Sequence, residues 1–141
     1  MTSNILIDLS EYLKDTDLFK FILPIIDEYV RYTFKTKKEL NQAVVEWCVD
    51  LKKKKKYAEK KYGHISFWNT KFINDMSYIF CGRKSFNQPL YWDTKNVTNM
   101  FGMFCKAKSF NQILNFNTDN VTDMKYMFSG AESFNKPFNF T

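Results

Sequence analysis

Residues 92–115 read WDTKNVTNMFGMFCKAKSFNQILN. Laid against 68–91 (WNTKFINDMSYIFCGRKSFNQPLY) and 116–139 (FNTDNVTDMKYMFSGAESFNKPFN), they align without a gap at a period of 24. Six columns are identical in all three copies: Thr70/Thr94/Thr118, Met76/Met100/Met124, Phe80/Phe104/Phe128, Ser85/Ser109/Ser133, Phe86/Phe110/Phe134 and Asn87/Asn111/Asn135. Others keep only their character, as Ile73/Val97/Val121 and Ile79/Met103/Met127 do. A unit this short cannot bury its own apolar side chains, so repeated units stack, with equivalent residues about 4.8 Å apart. The Phe columns then become continuous piles of rings, and the Asn column becomes a ladder of amides bonded along the axis. A fourth copy would begin with Phe140 in the aromatic column.

Within a unit, Met100, Met103 and Phe104 have the i, i+3, i+4 spacing of a helical turn, and the preceding Asn96-Val97-Thr98 is β-prone. The expected fold is therefore an α+β repeat solenoid. It is a leucine-rich-repeat-like stack of 24-residue rungs, each a short strand plus a helical turn, capped by N-terminal α-helices.

Thr36-Lys37-Lys38-Glu39 has capping-box spacing, and Leu40, Val44, Trp47, Leu51, Ala58 and Tyr62 then follow one stripe, interrupted by Lys54 and Lys55. Gly63 suits a left-handed C-cap, so a helix is predicted over 37–62, covering the open end of the first rung. Upstream, Leu6, Leu9 and Leu13 mark a helix over about 4–14. A second helix starts near Asp17 and is kinked at Pro24. The predicted organisation is a helical segment over 1–35, a capping helix within 36–64, and repeats over 65–141 (68–91, 92–115, 116–139 and the start of a fourth).

The wording of the repeat is itself informative. Trp92-Asp93-Thr94-Lys95-Asn96-Val97-Thr98-Asn99-Met100, Met103-Phe104 and Ser109-Phe110-Asn111-Gln112 closely resemble the BspA-like leucine-rich-repeat surface proteins, including the Mycoplasma lipoprotein-type repeat of unknown function. Leu40-Asn41-Gln42-Ala43-Val44, Trp47 and Tyr62-Gly63-His64-Ile65-Ser66 resemble that family's lead-in. The resemblance implies a module for adhesion or protein binding and carries over no catalytic site. Similar repeats in intracellular proteins of protists and large DNA viruses make a viral or protist source the expectation. Residues 9–18 also resemble the opening of an F-box, a short helical adaptor.

The composition fits such a chain: 141 residues, 45% hydrophobic, with 15 Phe and 8 Tyr, which excludes a disordered or collagen-like protein. The N-terminus, MTSNILIDLSEYL, lacks a basic n-region, and the longest apolar run, 21–26, contains Pro24. No signal peptide and no membrane span are expected, and the location expected is intracellular: cytoplasmic, or the host-cell cytoplasm for a viral chain. Cys81 and Cys105 share a column, within disulfide reach of each other, and Ser129 takes the third place. Reduced thiols are the expectation in a reducing compartment.

Columns that differ between copies are free of packing duty, so Ser77/Phe101/Lys125 and Lys84/Lys108/Glu132 are the candidate protein-binding face. Self-association through the open repeat end is a further expectation. The alternative function is nucleic-acid or anionic-surface binding through Lys52, Lys53, Lys54, Lys55, Lys56, Lys60 and Lys61, with a net charge of +6 behind it. Against that, five consecutive lysines encircle a helix, and cations near a helix C-terminus suit its dipole. His64, the only histidine, reads as a structural junction, and the cysteines have no zinc-ligand spacing. No enzyme, cofactor or metal is expected. The Asn96, Asn120 and Asn139 sequons read as by-products of the repeat.

Overall fold

A computed structural model describes residues 31–138. The helices expected over 4–14 and from Asp17, the F-box-like phrase and the Asn139 sequon lie outside the described residues.

Helix α1 spans Lys37–Cys48 and α2 spans Lys52–Tyr62, and a 3₁₀ turn, Ile65–Phe67, follows. Thr36 Oγ1 accepts the Glu39 N–H at 3.2 Å, as the capping box requires. The Glu39 carboxylate closes the box one residue further out. It takes the Lys35 N–H at 3.0 Å and accepts the Tyr32 hydroxyl on its other oxygen.

The helix predicted over 37–62 is thus two helices, broken where Val49 and Leu51 are extended. The buried stripe explains the break. Leu40, Ala43, Val44 and Trp47 are buried, and a straight continuation would aim Lys54 and Lys55 at the same core. Burying an unpaired ammonium costs several kcal/mol at least. The break re-aims the chain so that Ala58 and Tyr62 are buried while Lys52 to Lys56 stay in water. Gly63 ends α2 at φ +76°, its N–H bonded to the Glu59 carbonyl at 2.9 Å.

The expectation of an α+β, leucine-rich-repeat-like solenoid of strand-plus-helix rungs is overturned. The described residues contain no β-strand and no sheet, and both α-helices precede the repeats. Only isolated parallel bridges occur, at Thr33–Asn69, Asp75–Asn99 and Asn99–Asp123. The physical reason is a pair of left-handed residues, four positions apart, in each copy. Tyr78 and Gly82 have φ of +61° and +72°, Gly102 and Lys106 of +57° and +55°, and Tyr126 and Gly130 of +58° and +72°. Neither a helix nor a strand continues through such residues. The spacing read as a helical turn at Met100, Met103 and Phe104 comes from consecutive tight turns. Met103 N–H bonds to Met100 O at 3.1 Å, and Cys105 N–H to Gly102 O at 3.0 Å.

Consecutive copies are bonded to one another directly. The N–H groups of Met76, Tyr78, Phe80 and Gly82 donate to the carbonyls of Asn99, Phe101, Met103 and Cys105 at 2.8, 3.0, 2.8 and 2.7 Å. Met100, Gly102, Phe104 and Lys106 donate likewise to Asp123, Lys125, Met127 and Ser129. The identical columns serve this arrangement. Phe80, Phe104 and Phe128 stack with centroids 5.3 and 5.7 Å apart, and Phe86, Phe110 and Phe134 stack at 5.9 Å. Thr70 and Thr94 hydroxyls donate to the Asp93 and Asn117 carbonyls. Asn87 and Asn111 side-chain oxygens accept the Asn111 and Asn135 N–H groups, forming the amide ladder. Cys81 and Cys105 are joined as a disulfide with Cα atoms 4.6 Å apart, so the expectation of reduced thiols does not hold in this structure.

One end of the repeats is closed. Phe34 N–H bonds to Asn69 O, Asn69 N–H to Tyr32 O, and Tyr32, Phe34, Trp47 and Tyr62 pack against Trp68 or one another. At the other end, the N–H groups of Met124, Tyr126, Phe128 and Gly130 donate to nothing among the described residues.

Candidate interaction surfaces

The two variable columns are placed unevenly. Ser77 is buried, its hydroxyl accepting from the Lys37 ammonium, which also bonds Asp75 Oδ2 at 2.9 Å. Phe101 is half-buried and Lys125 exposed. Lys84, Lys108 and Glu132 are all exposed, and Lys108 pairs with Glu132 at 2.7 Å. Such a solvated pair contributes little stability. The structure therefore does not bring Ser77 to a common surface with Phe101 and Lys125, because α1 covers the first copy.

A neighbouring column does form a surface. Tyr78 and Tyr126 are 53% and 66% exposed, and their rings flank Phe101 edge-on with centroids 5.2 and 5.5 Å away. The left-handed backbone at Tyr78 and Tyr126 turns these side chains out of the stack. Gly102 holds the equivalent place in the middle copy, and a Cβ there would lie 2.8 Å from the Tyr78 ring. The comparison of copies missed this ladder because Gly102 replaces a ring in that column, and the Phe101 ring from the adjoining column takes its place.

The lysine run is placed differently from the expectation. Only Lys60 and Lys61 occupy the last turn of α2, whereas Lys52 to Lys56 open it, where the helix dipole disfavours cations and no acidic residue balances them. Lys52 and Lys55 line an open cleft of about 540 Å³ between the α1–α2 junction and the first repeat. Arg83, Lys84, Cys48 and Asp50 line it too, with Trp47 and Phe86 contributing apolar surface. The Arg83 Nε is hidden from solvent and has no hydrogen-bond partner. Lys55 lies 5.2 Å from the Trp47 ring centroid. Burial pushes the Cys48 thiol up to about 11, against a smaller lowering from Arg83 and Lys55. Lys53, Lys54, Lys56, Lys60 and Lys61 are exposed and lie outside the cleft lining.

His64 sits at the helix–repeat junction, its Nδ1 accepting the Ser66 N–H at 3.3 Å and its ring 5.0 Å from Trp47. Asn96 and Asn120, the two described sequon residues, use their side-chain amides to donate to the Lys71 and Lys95 carbonyls. Burial alone would raise the Asp75 carboxyl, but the Lys37 ammonium and the Ser77 N–H and hydroxyl outweigh it and hold the group below the usual range. The Lys35 N–H and the Tyr32 hydroxyl do the same for Glu39. Among the described residues, no group of three His, Cys, Asp or Glu side chains is placed to hold a metal, and no helix is long and apolar enough to cross a membrane.

A family model described as "Mycoplasma protein of unknown function, DUF285" matches residues 49–140, more than half of the chain. No curated protein and no solved structure matches.

Proposed function

The chain belongs to the DUF285 family, and on that premise we propose that its repeats form a non-enzymatic module that binds a protein partner. The observation that carries this reading is the Tyr78–Phe101–Tyr126 ladder. Exposed aromatic rings bring large contact area with little rotamer entropy to lose, and such residues dominate binding energy at protein interfaces. Here the hydrogen-bonded repeats hold them rigidly, so little ordering cost remains on binding. The resemblance to BspA-like surface proteins supports the same role. The ladder, with Lys125 and the Lys84, Lys108, Glu132 column as neighbouring polar surface, replaces Ser77 as the contact.

The test is a pull-down from nuclease-treated lysate with the wild-type chain and a Tyr78→Ser, Phe101→Ser, Tyr126→Ser variant. Proteins retained at moderate salt by the wild type should be lost by a variant that keeps its fold. Equal retention by both would remove the ladder from the binding face.

The second reading is nucleic-acid or anionic-surface binding through Lys52–Lys61, favoured by the exposure of all seven lysines. It predicts binding that falls steeply with salt and disappears with nuclease. Self-association at the open repeat end would show as mass rising with concentration in light scattering. Location inside the making compartment fits the sequence reading, whereas the Cys81–Cys105 bond fits an oxidising one. Thiol trapping in native extract decides it: a reduced pair supports the interior.

A further inference from the structure

We propose that the cleft between the α1–α2 junction and the first repeat is a binding site for a phosphate monoester. Four cationic side chains from two separate parts of the chain line it: Lys52 and Lys55 from α2, and Arg83 and Lys84 from the first repeat. Among the described residues none of the four makes an ion pair, and the only carboxylate on the lining is Asp50, exposed at the helix junction. A cluster of like charges repels itself, and a bound anion would offset the repulsion.

The chemistry narrows the anion. Arg83 lines the cleft and its Nε has no hydrogen-bond partner, and leaving a charged-group donor unpaired costs stability. A guanidinium fork and three ammonium groups match a compact dianion with three oxygens. A carboxylate, with two oxygens and one charge, would use fewer of the donors. A nucleic-acid backbone would need cations along a track, whereas Lys53, Lys54, Lys56, Lys60 and Lys61 lie outside the cleft and encircle α2. The first turn of α2 adds its own positive end, since Leu51 gives no side-chain cap to its N–H groups. Cys48, whose thiol Arg83 and Lys55 lower against the larger effect of burial, lines the cleft with both of them. Trp47 and Phe86 supply an apolar wall for whatever carries the phosphate.

The experiment is an amide NMR titration of the full chain with inorganic phosphate and with a phosphoserine peptide, at ionic strength fixed with chloride. Saturable shifts should centre on Lys52, Lys53, Arg83 and Lys84. Arg83→Gln should weaken binding by about tenfold, the size of one charge-assisted hydrogen bond. Lys55→Gln, at an exposed position, should weaken it similarly and guards against a folding defect in the arginine variant. A Lys60→Gln, Lys61→Gln double variant, equal in charge removed or greater, should bind as the wild type does. Binding of the peptide at least as tight as that of inorganic phosphate supports the ester, and a peptide that binds more weakly or not at all would overturn it. Shifts that follow ionic strength alone, or an equal loss in the Lys60/Lys61 variant, would overturn it. So would a single-stranded oligonucleotide that binds more tightly than either probe and is indifferent to Arg83→Gln.

Discussion

Gly102 shows how much a single position can carry. Its equivalents Tyr78 and Tyr126 tolerate left-handed φ with full side chains, so φ alone does not demand glycine there. The demand comes from the Tyr78 ring, which occupies the space of a Cβ at Gly102. Gly102→Ala should therefore lower stability by about 1–3 kcal/mol in urea unfolding, combining left-handed strain with the ring clash. Adding Tyr78→Ala should recover the clash but not the strain, and an unrecovered double variant would refute this division. Asp75 offers a test by pH. Its folded pKa lies below the unfolded value, so the stabilisation it brings is fully present above the unfolded pKa, about 4, and is lost as pH falls through the folded one. Glu39 acts with the same sign. Asp75→Asn should be less stable at pH 7 and should show a shallower fall between pH 5 and 2. An unchanged slope would show that Lys37 does not bias this carboxylate.

Among elements, the ring columns hold the repeats together. Phe104 is fully buried and stacks on Phe80, Phe110 and Phe128 at 5.3, 4.1 and 5.7 Å. Phe104→Ala should cost about 3–5 kcal/mol by thermal or urea unfolding, the cost of a large cavity. A loss under 1 kcal/mol would mean the neighbouring copies collapse into the gap. These columns, the Asn ladder and the Thr36 N-cap were legible because each needs one residue type at one place. The backbone path was not. A residue three positions from another can be a helical turn or two tight turns, and Tyr78, Lys106 and Tyr126 carry no side-chain preference for the left-handed region that would separate the two. The helix break at Val49–Leu51 was half visible, since Lys54 and Lys55 already interrupted the apolar stripe. The cleft was invisible in sequence: the lysine run stood out, but only the fold brings Arg83 and Lys84 to Lys52 and Lys55.

For the whole molecule, the decisive property is that each copy leans on the next through bonds at offsets of 23 to 25 residues, each repeated from copy to copy. Removing 92–115 would join Tyr91 to Phe116 and leave every surviving column in place, with Ser129 opposite Cys81. That shortened chain should fold cooperatively, with a lower Tm but with α1 still closed on the first copy. Retained hydrogen-exchange protection of the α1 amides is the readout, since loss of Trp92 from its stack on Trp68 changes the near-ultraviolet spectrum by itself. Deleting one residue instead, Asn115 for example, should detach everything after it, because each ring and amide would then face the wrong neighbour. If the single deletion proved the milder lesion, the offset bonds would not govern assembly. The register thus behaves like a reading frame written in three dimensions: insertions and deletions are tolerated in multiples of one copy and punished otherwise. Lineages of such chains would then vary in length by whole steps, while their sealed beginning stays the same.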